Sequence, residues 1–434
     1  MKTIQRIRLT FGALLAAQLL WLLWLAPIAK AEDHWVATWA ASPQAPRVAF
    51  GRGPAPGAPA AAPARANRAP AFPAPPTFNN TTVREIVHTS IGGRRARVQL
   101  SNAFGTTPLK VGAAHVALRD KESAILAGSD HALTFSGDAS FTIPPGAEAI
   151  SDPVDIEVPK LGDLVLSLYI PGEGAAPTQH LTGLHTTYIS KATGDLTAAP
   201  SITDATKTQA WYWISSVDVL APADAKLIVA FGDSITDGAT STPDTDSSWP
   251  SQLAKRLLEN KATSHLAIVN QGISGNRILA DGAGVSALAR FDRDVLSQPG
   301  VEWLIVMEGI NDIGIAARTP GPNSITADDL IAAQKQLINR AHMHGIKVIG
   351  ATLTPYSGAT YYSDNGETVR TALNEWIRTS KSYDGVIDFD AATRDPENPK
   401  QIRPSFNIRD HLHPNDVGYK AMADAFDLSM FKRK

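Results

Sequence analysis

Between residues 82 and 222, apolar and polar positions alternate with period two in short runs, at 83–88, 96–100, 132–135, 154–158, 164–170 and 212–219. Such alternation turns one face of each run toward a core and the other toward water, as half-buried strands require. Gly92-Gly93, Pro144-Pro145-Gly146 and Pro171-Gly172 separate the runs with turn chemistry. No stretch there carries the period of an ordinary helix, so the pattern predicts an antiparallel β-sandwich of jelly-roll type. After residue 225 the rhythm changes. Unbroken apolar runs at 227–231, 266–269, 304–307, 348–352 and 386–389 alternate with helical periodicity at 248–260, 327–344, 367–380 and 416–428. Strands buried on both faces read as continuous apolar runs, so this half is expected to be α/β, a parallel sheet with helices on both sides. In such sheets ligands bind beyond the carboxyl ends of the strands, which is where chemistry is sought.

A chain of 434 residues has material for two or three domains, and 44% hydrophobic with 19% charged residues is ordinary globular composition. Lys plus Arg number 40 against 42 Asp plus Glu. That balance gives no surface built to neutralise nucleic-acid phosphates, and no nucleic-acid partner is expected. The absence of cysteine excludes disulfides, thiolate metal sites, a cysteine nucleophile and a lipid-modified N-terminal cysteine.

Lys2, Arg6 and Arg8 precede an uncharged apolar run at 9–29, followed by Ala29-Lys30-Ala31, a small-x-small cleavage pattern. Residues 1–31 are therefore expected to be a signal peptide, with a secreted or periplasmic mature chain starting at Glu32. The competing reading is an uncleaved anchor, since the run is just long enough to span a bilayer. Gln18, Pro27 and the terminal alanines favour cleavage, after which no stable membrane partner is expected. Residues 41–76, dominated by Ala, Pro, Gly and Arg without periodicity, read as an extended insertion. The expected domains are a β-sandwich at 32–224 carrying that insertion, and a catalytic domain at 225–434.

The first run of the second half leads into Gly232-Asp233-Ser234-Ile235-Thr236-Asp237-Gly238, which puts Ser234 where strand turns into helix. The second leads into Asn270-Gln271-Gly272-Ile273-Ser274-Gly275-Asn276, the third into Glu308-Gly309-Ile310-Asn311-Asp312. Asp410-His411-Leu412-His413-Pro414 precedes the last helical stretch. Each piece alone is more often a cap, a turn or a local polar pair. Their conjunction in this order is far rarer.

These blocks resemble the SGNH hydrolase superfamily, the GDSL esterases and lipases, over roughly the C-terminal half. The family's Gly-Asp-Ser turn, glycine loop, Gly-x-Asn-Asp segment and Asp-x-x-His pair correspond to Ser234, Gly275, Asn311, and Asp410 with His413. Ile235 replaces the leucine of the four-letter name. Gly272 and Gly275 compete for the family glycine, and the Ile-Ser-Gly context selects Gly275. The N-terminal Trp35-Val36-Ala37-Thr38-Trp39-Ala40 and the stretch from Arg97 to Gly105 are similar to the two-domain branch related to xylan and aryl esterases. The resemblance implies a three-layer, flavodoxin-like hydrolase domain behind the β-sandwich.

It also implies the roles. Ser234 is the expected nucleophile, His413 its base and Asp410 the group that orients His413. The N–H groups of Ser234 and Gly275 and the amide of Asn311 form the expected oxyanion hole. Arg277 is a candidate substrate contact, a surface role being equally plausible. His411-x-His413 hints at a metal, but no third ligand stands at a recognisable spacing, so no metal or cofactor is expected. Trp211 and Trp213 are read as strand-core residues before a sugar platform. The expected function is secreted hydrolysis of short-chain acyl esters, with carbohydrate O-acetyl or related plant-polymer esters preferred. A lipase or acyltransferase with the same triad, and a catalytically silent carbohydrate-binding protein, are the alternatives.

Overall fold

The computed structural model describes residues 32–46, 76–172, 177–317 and 325–431. The expected signal segment and most of the expected insertion lie outside the described residues. Among those described, no helix is long and apolar enough to cross a membrane.

The second half is built on five parallel strands in the order Leu266–Gly272, Lys226–Gly232, Val301–Met307, Lys347–Ala351 and Gly385–Ile387. Numbered along the chain this is order 2-1-3-4-5, the flavodoxin-like winding, whose switch point lies between the strands from Lys226 and Val301. Leu227, Ile228, Val229, Ala230 and Phe231 are wholly buried, which explains why an unbroken apolar run is needed there. Helices Trp249–Glu259, Ala327–Met343, Asp364–Thr379 and Asp416–Asp424 cover the sheet, each opened by a side-chain cap from Ser248, Thr326, Ser363 or Asn415. Several expected bounds shift by a few residues; the helix expected at 367–380 runs Asp364–Thr379 and the strand expected at 304–307 starts at Val301. The strand expected to reach 389 stops at Ile387, because Asp388 accepts from the Ala391 N–H and starts a short helix, Phe389–Thr393. The last helix, expected to 428, ends at Asp424, and a 3-10 turn follows at Leu428–Phe431.

The first half is antiparallel. One sheet runs His34–Ala40, Ile214–Ala221, Gly93–Ser101 and Glu148–Ile150, with Val154–Val158 also paired to Gly93–Ser101. The other runs Ala205–Thr208, Thr187–Thr193, Thr81–His88, Asp163–Ile170, Ala113–Leu118 and His131–Ala132. Val83, Val98 and Leu166, from both sheets, belong to one core.

The expected strand at 212–219 is two strands, Trp211–Tyr212 and Ile214–Ala221, broken where Trp213 adopts a left-handed φ of 61°. That turn sends Trp211–Tyr212 to pair with Gln179–His180 in a separate small sheet. Trp211 and Trp213 are both buried, Trp211 edge-on to Trp39 at 4.8 Å, so they pack as core and offer no platform. At 132–135 only His131–Ala132 is strand, and Phe135 closes an isolated bridge with Asp138.

The expected insertion begins later than residue 41. Ala41, Ser42 and Gln44 are buried, and the Gln44 backbone exchanges hydrogen bonds with that of Gln179. These residues belong to the contact between the halves. There the Ala37 N–H donates to the Pro299 carbonyl and the Ile268 N–H to Ser90 Oγ. One apolar cluster runs through both halves, from Val36 and Trp39 to Phe231 and Val269.

Candidate active site

The strand Lys226–Gly232 delivers its chain to Asp233, whose carboxylate caps the short helix Ser234–Asp237 by accepting from the Ile235 N–H at 3.0 Å. Ser234 is the first residue of that helix. Its own N–H therefore has no intrahelical acceptor and points beyond the sheet edge. Gly238, at φ 95°, ends the helix after one turn.

Asp410 and His413 arrive from the far end of the chain on a loop. His413 Nε2 lies 2.9 Å from Ser234 Oγ, and His413 Nδ1 lies 2.6 Å from Asp410 Oδ2. A carboxylate accepts only, so Nδ1 carries the proton, and the bare Nε2 accepts from the serine hydroxyl. Asp410 Oδ1 also accepts from the backbone N–H groups of Leu412 and His413. Burial opposes its charge, but these three donors hold the Asp410 pKa down at about 2. Arg409 and His411, on either side of it, have φ of 75° and 59°. Two non-glycine residues in the left-handed region mark a strained loop that its surroundings hold in place.

The two glycines of the second block separate by geometry. A Cβ on Gly272 would lie 2.2 Å from the Asp237 backbone nitrogen, so Gly272 serves the close approach of strand to helix. Gly275, at φ 83°, lines the cleft with Asn311, Asp410 and His413. Asn311 Nδ2 spends one proton on the Asn276 carbonyl at 3.0 Å, leaving its second for the cleft. Asp312 accepts from the Ile278 and Leu279 N–H groups and holds the loop beyond Gly275. Ser234, Gly275, Asn311, Asp410 and His413 are thus brought to one sheet edge, at the switch point.

Arg277 also lines this cleft. Its Nη2 donates to the Asp281 carbonyl, while its Nε is buried without a hydrogen-bond partner. The His411 ring packs beside Gly358. Among the described residues, the group spaced to hold a cation is His88, Asp163 and Asp246, between the halves. There His88 Nδ1 lies 2.7 Å from Asp163, which Arg119 also binds. These donors already satisfy the carboxylate, so the cluster is accounted for as a hydrogen-bonded clasp.

Several groups at the site escaped the sequence reading. Tyr361 sets its hydroxyl 3.4 Å from Asn311 Oδ1, and Leu412 and Ala359 add apolar lining. Arg290, wholly buried, donates to the Gly232 and Gln271 carbonyls and to Asn276 Oδ1, tying two strand ends to the loop that carries Gly275. Burial pushes the Asp233 carboxyl up to about 7 and that of Glu308 well above its ordinary range, so the floor behind Ser234 carries less negative charge at neutral pH than two ordinary carboxylates would. The position of Asp233 beside Ser234 was a visible signal. Arg290 had none, being one arginine among many.

No curated protein matches this chain. Similar solved structures include a GDSL-like lipase from Bacteroides thetaiotaomicron VPI-5482, at 20% identity over 48% of this chain and 88% of that one, with TM-score 0.35. An acetyl xylan esterase matches at 20% identity over 46% of this chain and 96% of its own, with TM-score 0.36. A catalytic mutant of an acetylxylan esterase from Geobacillus stearothermophilus matches at 21% over 48% and 95%, with TM-score 0.37. Residues 228–426 match the family model described as GDSL-like lipase/acylhydrolase, and this domain of the chain belongs to that family.

Proposed function

We propose that the protein is a serine esterase that cleaves short-chain acyl esters through an acyl-enzyme on Ser234, and that it works outside the cytoplasm. The observation that carries this reading is the chain of contacts from Ser234 Oγ to His413 Nε2 at 2.9 Å and from His413 Nδ1 to Asp410 at 2.6 Å. In the first step Ser234 Oγ bonds to the ester carbonyl carbon as its proton passes to His413. The negative charge that collects on the carbonyl oxygen meets the N–H groups of Ser234 and Gly275 and the free amide proton of Asn311. Collapse expels the alcohol, which takes the proton from His413. Water then attacks the acyl-enzyme by the same route and restores Ser234.

The cleft supports a small acyl group attached to a polar alcohol. Ala283, Ala359 and Leu412 offer short apolar walls, while Arg277, Thr360 and Tyr361 line the same cleft with polar groups. Carbohydrate O-acetyl esters, including those of plant polymers, are the preferred substrate class, with Arg277 as a substrate contact.

The test is hydrolysis of p-nitrophenyl acetate, butyrate and octanoate, then acetate release from acetylated xylan, by the protein and its Ser234→Ala variant. The expected result is fastest turnover of acetate, lost by at least ~10,000-fold in the variant. Equal rates in both proteins on every ester would overturn the reading. Octanoate as the best substrate would shift it to a lipase.

A further inference from the structure

The nucleophile helix and the oxyanion loop are joined by a carboxylate that the reaction does not use. Asp237, the last residue of the helix Ser234–Asp237, points Oδ2 at the Ser274 N–H at 2.7 Å and at Ser274 Oγ at 2.6 Å. Ser274 immediately precedes Gly275. The other oxygen, Oδ1, lies 2.9 Å from Nε2 of His180, a buried residue of the antiparallel half. Thr182, from the same segment, donates to Ser274 Oγ at 2.8 Å.

We propose that His180 is a positioning residue for ester hydrolysis: as a buried imidazolium paired with Asp237, it fixes the oxyanion loop at Ser274-Gly275 relative to the nucleophile Ser234. This rests on the functional reading above. The protonation state follows from the partners. His180 Nδ1 lies 3.0 Å from the Ser42 carbonyl oxygen, which can only accept, and Nε2 faces a carboxylate oxygen, which also accepts. A neutral ring has one proton and would leave a lone pair opposed to one of them; the charged ring satisfies both. Burial works against that charge, but the Asp237 charge and the hydrogen bonds to Asp237 and Ser42 together hold the His180 pKa above its ordinary value.

Both side chains of the ion pair are nearly inaccessible, so its geometry is held in a low-dielectric setting. Trp211 covers the His180 ring at 5.7 Å. On the other side, Gly272 lets its strand pack against the Asp237 backbone. Ser234 and Gly275 supply two of the three oxyanion donors, and they sit on two separate segments of backbone. Asp237 is the side chain of the helix that bonds directly to Ser274 beside Gly275, while Asn270 Nδ2 donates to the Thr236 carbonyl further back, and His180 orients Asp237 from the antiparallel half.

The test compares the full-length protein with His180→Gln, Ser274→Ala and Ser234→Ala. It measures kcat and KM for p-nitrophenyl acetate, Ki for an alkylboronic acid whose tetrahedral serine adduct places an oxygen among the oxyanion donors, and the melting temperature. A displaced donor of this kind costs up to about 100-fold, so His180→Gln should lower kcat by ~10- to 100-fold, with KM within about twofold. The boronic acid Ki should rise in parallel, a response that loss of folded protein alone does not produce. Ser274→Ala keeps the backbone N–H contact and should lose ~3- to 10-fold in kcat; it carries the test if His180→Gln does not fold. Unchanged kcat and Ki in folded His180→Gln, or in Ser274→Ala, overturn the proposal while an inactive Ser234→Ala leaves the esterase reading standing. A wild-type protein that cleaves no ester overturns both.

Discussion

The antiparallel and parallel halves bury comparable cores but divide the work unequally. Every group of the Ser234, His413, Asp410 chain and every proposed oxyanion donor comes from the parallel half. The reason lies in the backbone. Parallel strands end together at one edge, and the segments after them converge at the switch point, so Ser234, Gly275 and Asn311 meet without any long loop. The antiparallel strands end at alternating edges and gather no such set. Their contribution is made from behind, by Ser42, His180 and Thr182 against Gln271, Asp237 and Ser274.

The largest effect that should separate the halves is Ser234→Ala. It is expected to remove at least ~10,000-fold in kcat while leaving the melting temperature within a degree or two, measured by ester assay and calorimetry. A comparable change in the other half should do the reverse. Phe78 is buried edge-on to Tyr212 and Trp213 at 5.0 and 4.7 Å. Phe78→Ala should cost about 3 to 5 kcal/mol in urea unfolding, with kcat per folded molecule unchanged. Equal loss of kcat would mean that the antiparallel core shapes the site directly.

Asn311→Ala removes one proposed oxyanion donor and should lower kcat by ~100- to 1,000-fold, or about 2.7 to 4 kcal/mol in the transition state. A loss under tenfold would show that the Ser234 and Gly275 N–H groups suffice. The last effect concerns pH and stability at Asp233. Burial raises its pKa to about 7 in the folded protein, against about 3.9 in an unfolded chain. As pH rises from about 4 to 7 the unfolded chain gives up this proton and the folded one keeps it, so the group's contribution to stability falls across that window. Asparagine does not titrate. Asp233→Asn should therefore gain in melting temperature relative to wild type between pH 4 and pH 7.5, and a pH-independent difference would contradict the assigned shift.

The sequence reading went furthest where neighbours along the chain decide the outcome. The five apolar runs became the five parallel strands because a strand buried on both faces must be apolar throughout. Ser248, Thr326 and Asn415 each stand as helix caps where the periodicity begins, and Ser363 caps its helix ahead of the expected start at 367. The expected strand at 212–219 went astray at Trp213, since alternation cannot reveal one tryptophan in a left-handed conformation. Ala41 to Gln44 looked like insertion because small polar and proline residues carry no periodicity, although here they fill the seam between the halves.

By itself, then, the sequence determined the two architectures, the order of the family blocks and the identity of Ser234, Asn311, Asp410 and His413 as the residues to watch. Those are properties of local pattern and residue chemistry. The Ile-Ser-Gly context had already selected Gly275, and tertiary structure supplied the reason, with Gly272 packed against the Asp237 backbone and Gly275 facing the cleft. Tertiary structure alone set His413 beside a serine 179 positions away, and His180 behind a carboxylate 57 positions away. Such pairings depend on where packing brings distant segments to rest, and no spacing along the chain records that.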